Sequence, residues 1–342
     1  MKKISILTLM IVLLSVLIFG GCGKPTAPEK FNLRFSTVFP EVTSVYQLVM
    51  KPVLDEIKEK STGRITFTLF TGAELGGVDH DNVRTGKSDI SCFATGYTPG
   101  RFPLSDIFTL PAAYETSEAM VAVALAVYDR MLNKEFTDVR GLGTFRVQDS
   151  YLYSTKPVRV LEDMKGLKVR TATALDTEAT KALGATPVQM PLTDLYLAVQ
   201  TGTVDGAITA GSVVLSFKLN EVFKHVLKFN FGSTTWAWVI NLETWEKMPD
   251  DLKSIIETAT RKGGLSQPKL QAMDDPKATK ALEDAGGSSY TLPSNEERRW
   301  IDVLQPSVKK WVAALEAKGL PGQELMDITR EECQKMNVRF PY

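Results

Sequence analysis

From about residue 31 onward, short β-like runs alternate with stretches whose apolar positions recur every three to four residues. Residues 33–37 read as a first strand. A helical stretch follows over 44–60, and Pro52, with its fixed φ and missing N–H, must kink it or mark its first turn. Ser61-Thr62-Gly63 stops that helix, and 65–69 is the next strand. Residues 79–85 read as a short helix and 89–94 as a third strand. The order β-α-β-α-β is that of a parallel sheet with helices on its faces. The scheme then recurs as a strand over 167–171, a helix over 176–183 stopped by Gly184, and a strand over 186–189. A helix over 193–200 with Thr193 as N-cap and a strand over 206–209 complete it. Residues 151–154 and 236–240 look extended and are expected to link the two halves, while 220–227 reads as helical. Beyond Pro249 the pattern is mostly helical. Trp300, Leu304, Val308 and Trp311 fall at helical spacing, which marks core packing rather than a site.

One segment occurs twice. Val83-Arg84-Thr85-Gly86-Lys87-Ser88-Asp89 returns as Val199-Gln200-Thr201-Gly202-Thr203-Val204-Asp205, each copy closing a helical pattern and opening a β-like run. A Gly just past a helix takes the left-handed C-cap conformation, and a parallel strand can follow directly. Two copies of one junction imply two similar α/β lobes rather than one large sheet. Clefts between such lobes are where small ligands bind.

The chain has 342 residues, enough for two domains of about 150 residues each. Lys+Arg and Asp+Glu are equal at 40, so no basic field exists for nucleic acid and charge selectivity must be local to a site. At the N-terminus, Lys2 and Lys3 precede an apolar run over 4–19 closed by Gly20-Gly21-Cys22, the order of a signal peptide. Cys22 straight after the glycines resembles the bacterial lipoprotein box, with Phe19 where that box usually has Leu. The resemblance implies cleavage before Cys22 and lipid on its sulfur, so that a lipid holds the protein at the membrane. A retained anchor and ordinary secretion are the alternatives, and all three place the folded lobes outside the cytoplasm. Residues 22–30, polar and proline-containing, are a tether. Cys92 lies in an apolar strand pattern and reads as a buried thiol; spacing alone does not decide whether it pairs with Cys333.

The common enzyme signatures are missing. There are two histidines, His80 and His225, in no shared motif. Asp79-His80-Asp81 carries metal-ligand residue types but is equally explained as a solvated loop or helix start, and no metal or other cofactor is expected. Gly86-Lys87-Ser88 lacks the earlier Gly of a phosphate loop, position 81 being Asp. Arg170 is more informative: it ends the strand after Gly166, on the side where parallel strands point toward a ligand crevice. Its guanidinium can grip a carboxylate with two parallel hydrogen bonds.

Three stretches together carry a family resemblance: Asp163-Met164-Lys165-Gly166-Leu167-Lys168-Val169-Arg170, Leu183-Gly184-Ala185-Thr186-Pro187-Val188, and 194–206 beginning Asp194-Leu195-Tyr196. Further matches are Gly63-Arg64-Ile65, Gly100-Arg101-Phe102-Pro103-Leu104, Leu110-Pro111, Asn241 and Pro249-Asp250-Asp251-Leu252. The chain resembles the solute-binding proteins of TRAP (tripartite ATP-independent periplasmic) transporters, of the dicarboxylate-receptor type, over essentially all of its mature length.

The resemblance implies a two-lobed periplasmic-binding-protein fold, type II-like, each lobe a βαβαβ-based sheet flanked by helices around a cleft. The expected division is 31–153 with about 241–285 in the first lobe and 154–240 with about 286–342 in the second. It also implies an organic-acid ligand, a membrane permease as partner, and Arg170 as the residue that pairs with the ligand's carboxylate. Where the family often has an Asn after the second repeat, this chain has Thr209, and where sialic-acid-binding relatives place a second Arg it reads Gln148-Asp149-Ser150-Tyr151. Sialic acid is therefore not the expected ligand. The other candidate ligand contacts are Phe39, Thr95, Tyr97, Tyr151 and Trp236, on loops or strand ends facing the cleft. Several aromatics around one carboxylate favour a monocarboxylate with an apolar or aromatic body. An extracytoplasmic enzyme, or a ligand-sensing lipoprotein on the same scaffold, is the rival expectation.

Overall fold

The computed structural model describes residues 29–342, except 77–78, 99 and 115–116. Residues 1–28, where the signal segment, Cys22 and most of the tether are expected, lie outside the described residues. Residues 32–342 form one compact unit that contains two sheets. The strands, in chain order, are β1 (Phe31–Ser36), β2 (Ile65–Phe70), β3 (Ile90–Ala94), β4 (Arg140–Arg146), β5 (Tyr151–Ser154) and β6 (Lys168–Thr171). They continue with β7 (Thr186–Gln189), β8 (Gly206–Thr209), β9 (His225–Leu227), β10 (Thr235–Ile240) and β11 (Ser288–Tyr290).

The first sheet runs β2-β1-β3-β10-β4 and the second β11-β9-β5-β8-β6-β7. Each has the expected parallel centre: β1 beside β3 in one, β6 between β7 and β8 in the other. Each also takes in an antiparallel strand that follows a crossing from the other sheet, β10 between β3 and β4 and β5 between β8 and β9. The segments read as links are thus strands themselves, with β5 in the second sheet and β10 in the first. The connections are 147–150 and 228–234, which bond to each other: Ser150 N–H donates to Gly232 C=O at 2.9 Å and Phe231 N–H to Ser150 C=O at 2.9 Å.

The repeated segment builds the same junction twice. Gly86 and Gly202 take φ of +72° and +71° just beyond their helices, where a Cβ would be strained. Asp89 then donates its N–H to Arg34 C=O and accepts Arg34 N–H on its carboxylate, both at 2.8 Å. Asp205 does the same to Lys168, at 2.7 and 2.9 Å. Each aspartate therefore holds the start of its strand to a neighbouring parallel strand with one backbone and one side-chain bond.

The helix Asp250–Thr260 packs on Lys51–Lys60 and β4, and Gln267–Asp284 packs on Gly211–Ser216, β9 and β11. The long helix Ser294–Glu316 spans about 35 Å and joins two cores. Trp300 and Leu304 sit with the second sheet's Val169 and Ile208, whereas Val308, Trp311 and Leu315 sit with Phe93 and Val239 of the first. Pro306 falls inside the helix between the two groups. All four residues read as core are buried, as their spacing implied.

Two local expectations give way to tertiary pairing or local geometry. Residues 220–227 are not a helix: a turn over Leu219–Glu221 leads into β9, where His225 pairs with Ser288 across the strands. So short a run has too little helical preference of its own to resist pairing with two flanking strands. Thr193 lies inside the turn Leu192–Asp194, and Asp194 takes the N-cap position, without a side-chain cap bond, for Leu195–Gln200. Pro52 does stand in a first turn, that of Lys51–Lys60, after a π-helical stretch at Tyr46–Met50. Cys92 and Cys333 are buried free thiols.

Candidate ligand-binding site

Arg170 is placed by β6, paired with Val188 on β7 and Ala207 on β8. Immediately after the strand, Thr173 caps the helix Ala174–Ala182, its hydroxyl accepting from Asp176 N–H at 3.0 Å. The Asp176 carboxylate returns to Ala172 and Thr173 N–H, each at 3.3 Å. Burial raises Asp176 to about 6, against the pull of those N–H groups and of Arg170. This box closes the turn and directs the end of β6 toward the other lobe.

The Arg170 side chain is 2% exposed. Its Nε donates to Met190 C=O at 3.2 Å, and its guanidinium lies 5.6 Å over the Tyr97 ring. Nη2 has no hydrogen-bond acceptor, and no carboxylate forms a salt bridge with Arg170 among the described residues. Burying a guanidinium without a salt bridge to compensate it is costly, so the arrangement is suited to receive an anion. Tyr97 follows β3 and reaches across to pack with Leu192 and Tyr153 of the second lobe. Burial raises its phenol pKa, while the charge of Arg170 and a side-chain hydrogen bond with it oppose the rise.

Beside Tyr97 opens a pocket of about 270 Å³, lined by Val38, Asp79 and Phe93 from the first lobe and Pro191, Leu192 and Thr193 from the second. The lobes also touch beside a second cavity, of about 390 Å³, that both residues of the contact line: a Cβ added to Gly96 would lie 2.7 Å from Thr173 Cγ2. Asp106 reaches the N–H of Ala174 across the same contact. Burial, with Asp176 and Glu135 nearby, holds its pKa well above the ordinary carboxylate range.

The remaining expected contacts divide. Phe39 and Trp236 are buried together with ring centroids 5.2 Å apart, Phe217 lying edge-on to Phe39 at 5.7 Å. They line a much tighter space, of about 20 Å³, with Val45, Gln148, Ala210 and Val213. Thr95 is buried with its hydroxyl donating to Thr235 C=O at 3.2 Å, tying β3 to β10. Thr209 pairs with Tyr151 at the end of β8. Tyr151 accepts from Gln271 at 3.5 Å, and burial with Asp275 and Asp149 nearby raises its pKa. The structure thus brings Arg170 and Tyr97 together and sets Phe39 and Trp236 against a separate patch.

The sequence reading missed Val38, Phe93 and 191–193, although the strand-end rule that picked Tyr97 applies equally to residues following β7. It treated Asp79 and His80 as a solvated helix start. They do open the helix Asp79–Arg84, but both are buried. His80 Nε2 lies 3.2 Å from Asp138 and its ring packs edge-on to Phe102 at 5.1 Å. Burial lowers its pKa against the pull of Asp138. Among the described residues no group of three or more His, Cys, Asp or Glu could hold a metal ion, and no helix is long and apolar enough to cross a membrane.

Comparison with known proteins meets this geometry. The family "Bacterial extracellular solute-binding protein, family 7" (DctP) matches residues 35–314. The C4-dicarboxylate-binding periplasmic protein DctP of Rhodobacter capsulatus is 30% identical over 205 residues, 59% of this chain. That match spans 62% of the Rhodobacter protein, a little under two thirds of its length. A TRAP solute-binding protein from Rhodoferax ferrireducens T118, in complex with copurified benzoate, is 28% identical with a TM-score of 0.84, covering 90% of this chain and 99% of that one. A marine metagenome TRAP solute-binding protein specific for aromatic acid ligands, with metahydroxyphenylacetate bound, is 25% identical with a TM-score of 0.83 at the same coverage, 90% and 99%. With two like sheets, a cleft between them and a family match over most of its length, the chain belongs to family 7 of the bacterial extracellular solute-binding proteins and is a solute-binding protein of the TRAP type.

Proposed function

We infer that this protein captures a small monocarboxylic acid with an apolar or aromatic body in the cleft and delivers it to a TRAP-type membrane permease. The buried Arg170 guanidinium, with Nη2 lacking an acceptor beside a largely apolar pocket, carries this reading. Arg170 pairs with the carboxylate, and Tyr97 sets the guanidinium's plane. Val38, Phe93, Pro191 and Leu192 take the apolar body. The aromatic acids held by the Rhodoferax and metagenome proteins support the same ligand class. At about 270 Å³ the pocket is smaller than the roughly 300–1,000 Å³ of drug-sized sites, which suits a single ring.

The lobes, joined by 147–150 and 228–234, close over the ligand and exclude water, which strengthens the charge pairing. Phe39, Trp236, Thr209 and Tyr151 shape the far wall of the cleft, and Thr95 holds the first lobe's side of it. The ligand leaves chemically unchanged. Lipid on Cys22 holds the protein at the outer face of the cell membrane, with 23–30 as the tether that lets it reach the permease.

Thermal unfolding of the full chain in detergent, against a panel of organic acids, tests this reading. A ligand at 1,000 times its dissociation constant adds about 4 kcal/mol, an upward shift on the order of 10 °C. A shift of that size from an aromatic monocarboxylate, with the acid recovered intact, is the expected result. No shift from any carboxylate would refute the role of Arg170.

A further inference from the structure

One charged side chain in the cleft pocket is left without a role by carboxylate pairing at Arg170. Asp79 opens the helix Asp79–Arg84, is 5% exposed, and lines the same pocket as Tyr97. The Ser36 hydroxyl and Val38 N–H reach its carboxylate. No Lys or Arg forms a salt bridge with it among the described residues, so its charge is not neutralised in place. Burial raises its pKa to about 6, which leaves it mostly ionised at neutral pH. Tyr97 belongs to both neighbourhoods: its ring lies under Arg170 and also forms the pocket wall it shares with Asp79. The cleft therefore has a cationic pole and an anionic pole, with Val38, Phe93 and Leu192 lining the space at the anionic one.

We propose that Asp79 is a specificity-determining residue of the cleft, rejecting acids that carry a second carboxylate and accepting a hydroxyl or amino donor on the ligand's far end. The proposal rests on the reading of Arg170 as the carboxylate partner and narrows the ligand class. An acid with one carboxylate satisfies Arg170, and a donor on its body satisfies the lone pairs that Asp79 keeps after Ser36 and Val38. A dicarboxylate that engages Arg170 brings its second charge toward Asp79 in a water-poor pocket. Like charges so juxtaposed disfavour binding on the order of 100-fold or more. The match to a C4-dicarboxylate-binding relative thus does not carry that ligand over to this chain: the fold is shared and the charge at the far end of the pocket selects.

Calorimetric titration of the full chain in detergent, with matched aromatic acids, separates charge from shape. The pairs are 3-nitrobenzoate with isophthalate and 4-nitrobenzoate with terephthalate, since nitro and carboxylate groups share a planar form and differ in charge. The wild-type protein is expected to bind the nitro acid about 100-fold more tightly than the dicarboxylate in at least one pair. Asp79→Asn should narrow that gap to within about tenfold, chiefly by strengthening the dicarboxylate, and should weaken hydroxybenzoate relative to benzoate. Wild-type affinities within threefold in both pairs would overturn the proposal, and so would an unchanged gap in a folded Asp79→Asn. Should that variant fail to fold by circular dichroism, the wild-type pairs decide alone. Monocarboxylate binding that is lost in Arg170→Ala, combined with no discrimination by charge, would sink the role of Asp79 while leaving that of Arg170. No binding of any monocarboxylate would remove both.

Discussion

Replacing Arg170 with alanine removes a buried cleft cation whose Nη2 has no acceptor among the described residues. The magnitude follows from its surroundings. A carboxylate about 4 Å from the guanidinium gains roughly 4 kcal/mol at an effective dielectric near 20, before the cost of stripping water from the ligand. Truncating one partner of such a buried pair costs about 2–5 kcal/mol, because the other charge is then left in the cleft unpaired. Affinity for an aromatic monocarboxylate should therefore fall about 30-fold to several-thousand-fold. Stability of the unliganded chain should change much less. The bond from Nε to Met190 C=O is worth about 1 kcal/mol, and its loss is offset by no longer burying an unpaired charge. Arg170→Lys keeps the charge without the planar fork and should fall between the two. Titration calorimetry gives the affinities, and unfolding of the same variants without ligand gives the stabilities. If Arg170→Ala bound the acid within threefold of wild type, the site would be elsewhere. A large loss of unliganded stability would instead make Arg170 a structural residue.

Two further predictions test closure and titration. Gly96→Ala puts a methyl 2.7 Å from Thr173 Cγ2 where the lobes already meet, so it should lower the unliganded unfolding midpoint by a few degrees and weaken ligand affinity about tenfold; an unchanged midpoint with equal affinity would mean that this contact carries no part of closure. Glu135 accepts from Leu104 and Ser105 N–H and the Ser105 hydroxyl, yet burial still raises it to about 7 from an ordinary 4.5. The folded state thus holds a proton that the unfolded state releases, so this stability is full below about pH 4.5 and is lost as pH rises toward 7. Glu135→Gln should flatten the decline of the unfolding midpoint over that window by a few degrees, and an unchanged slope in the variant would assign the decline to other groups.

Particular residues show where sequence reading succeeds and where it stops. The paired junctions at Gly86 and Gly202 were legible because a helix stop, a left-handed glycine and a following strand are local events, determined by neighbours within a few residues. The strand-end position of Arg170 was legible for a similar reason, since it closes an apolar strand. His225 was not: its run of three strand residues is held by β5 and β11, the latter more than sixty residues away, and nothing nearby announces that pairing. Asp79 was read as solvated because an acidic helix start usually is. Its burial comes from the pocket wall shared with Phe93, Tyr97 and Leu192, which lie on different segments and in different lobes.

By itself the sequence determined the local elements, the duplication of an α/β plan, and the place of Arg170 at the end of a strand. Tertiary structure alone decided that β5 and β10 each join the sheet beyond a crossing, and that the long helix serves two cores on either side of Pro306. It alone left Arg170 Nη2 without an acceptor, with a lone carboxylate lining the neighbouring pocket. Helix caps and strand alternation depend on residues adjacent in the chain. Burial, unpaired charge and the shape of a cleft depend on which distant segments meet, and a single sequence does not state those meetings.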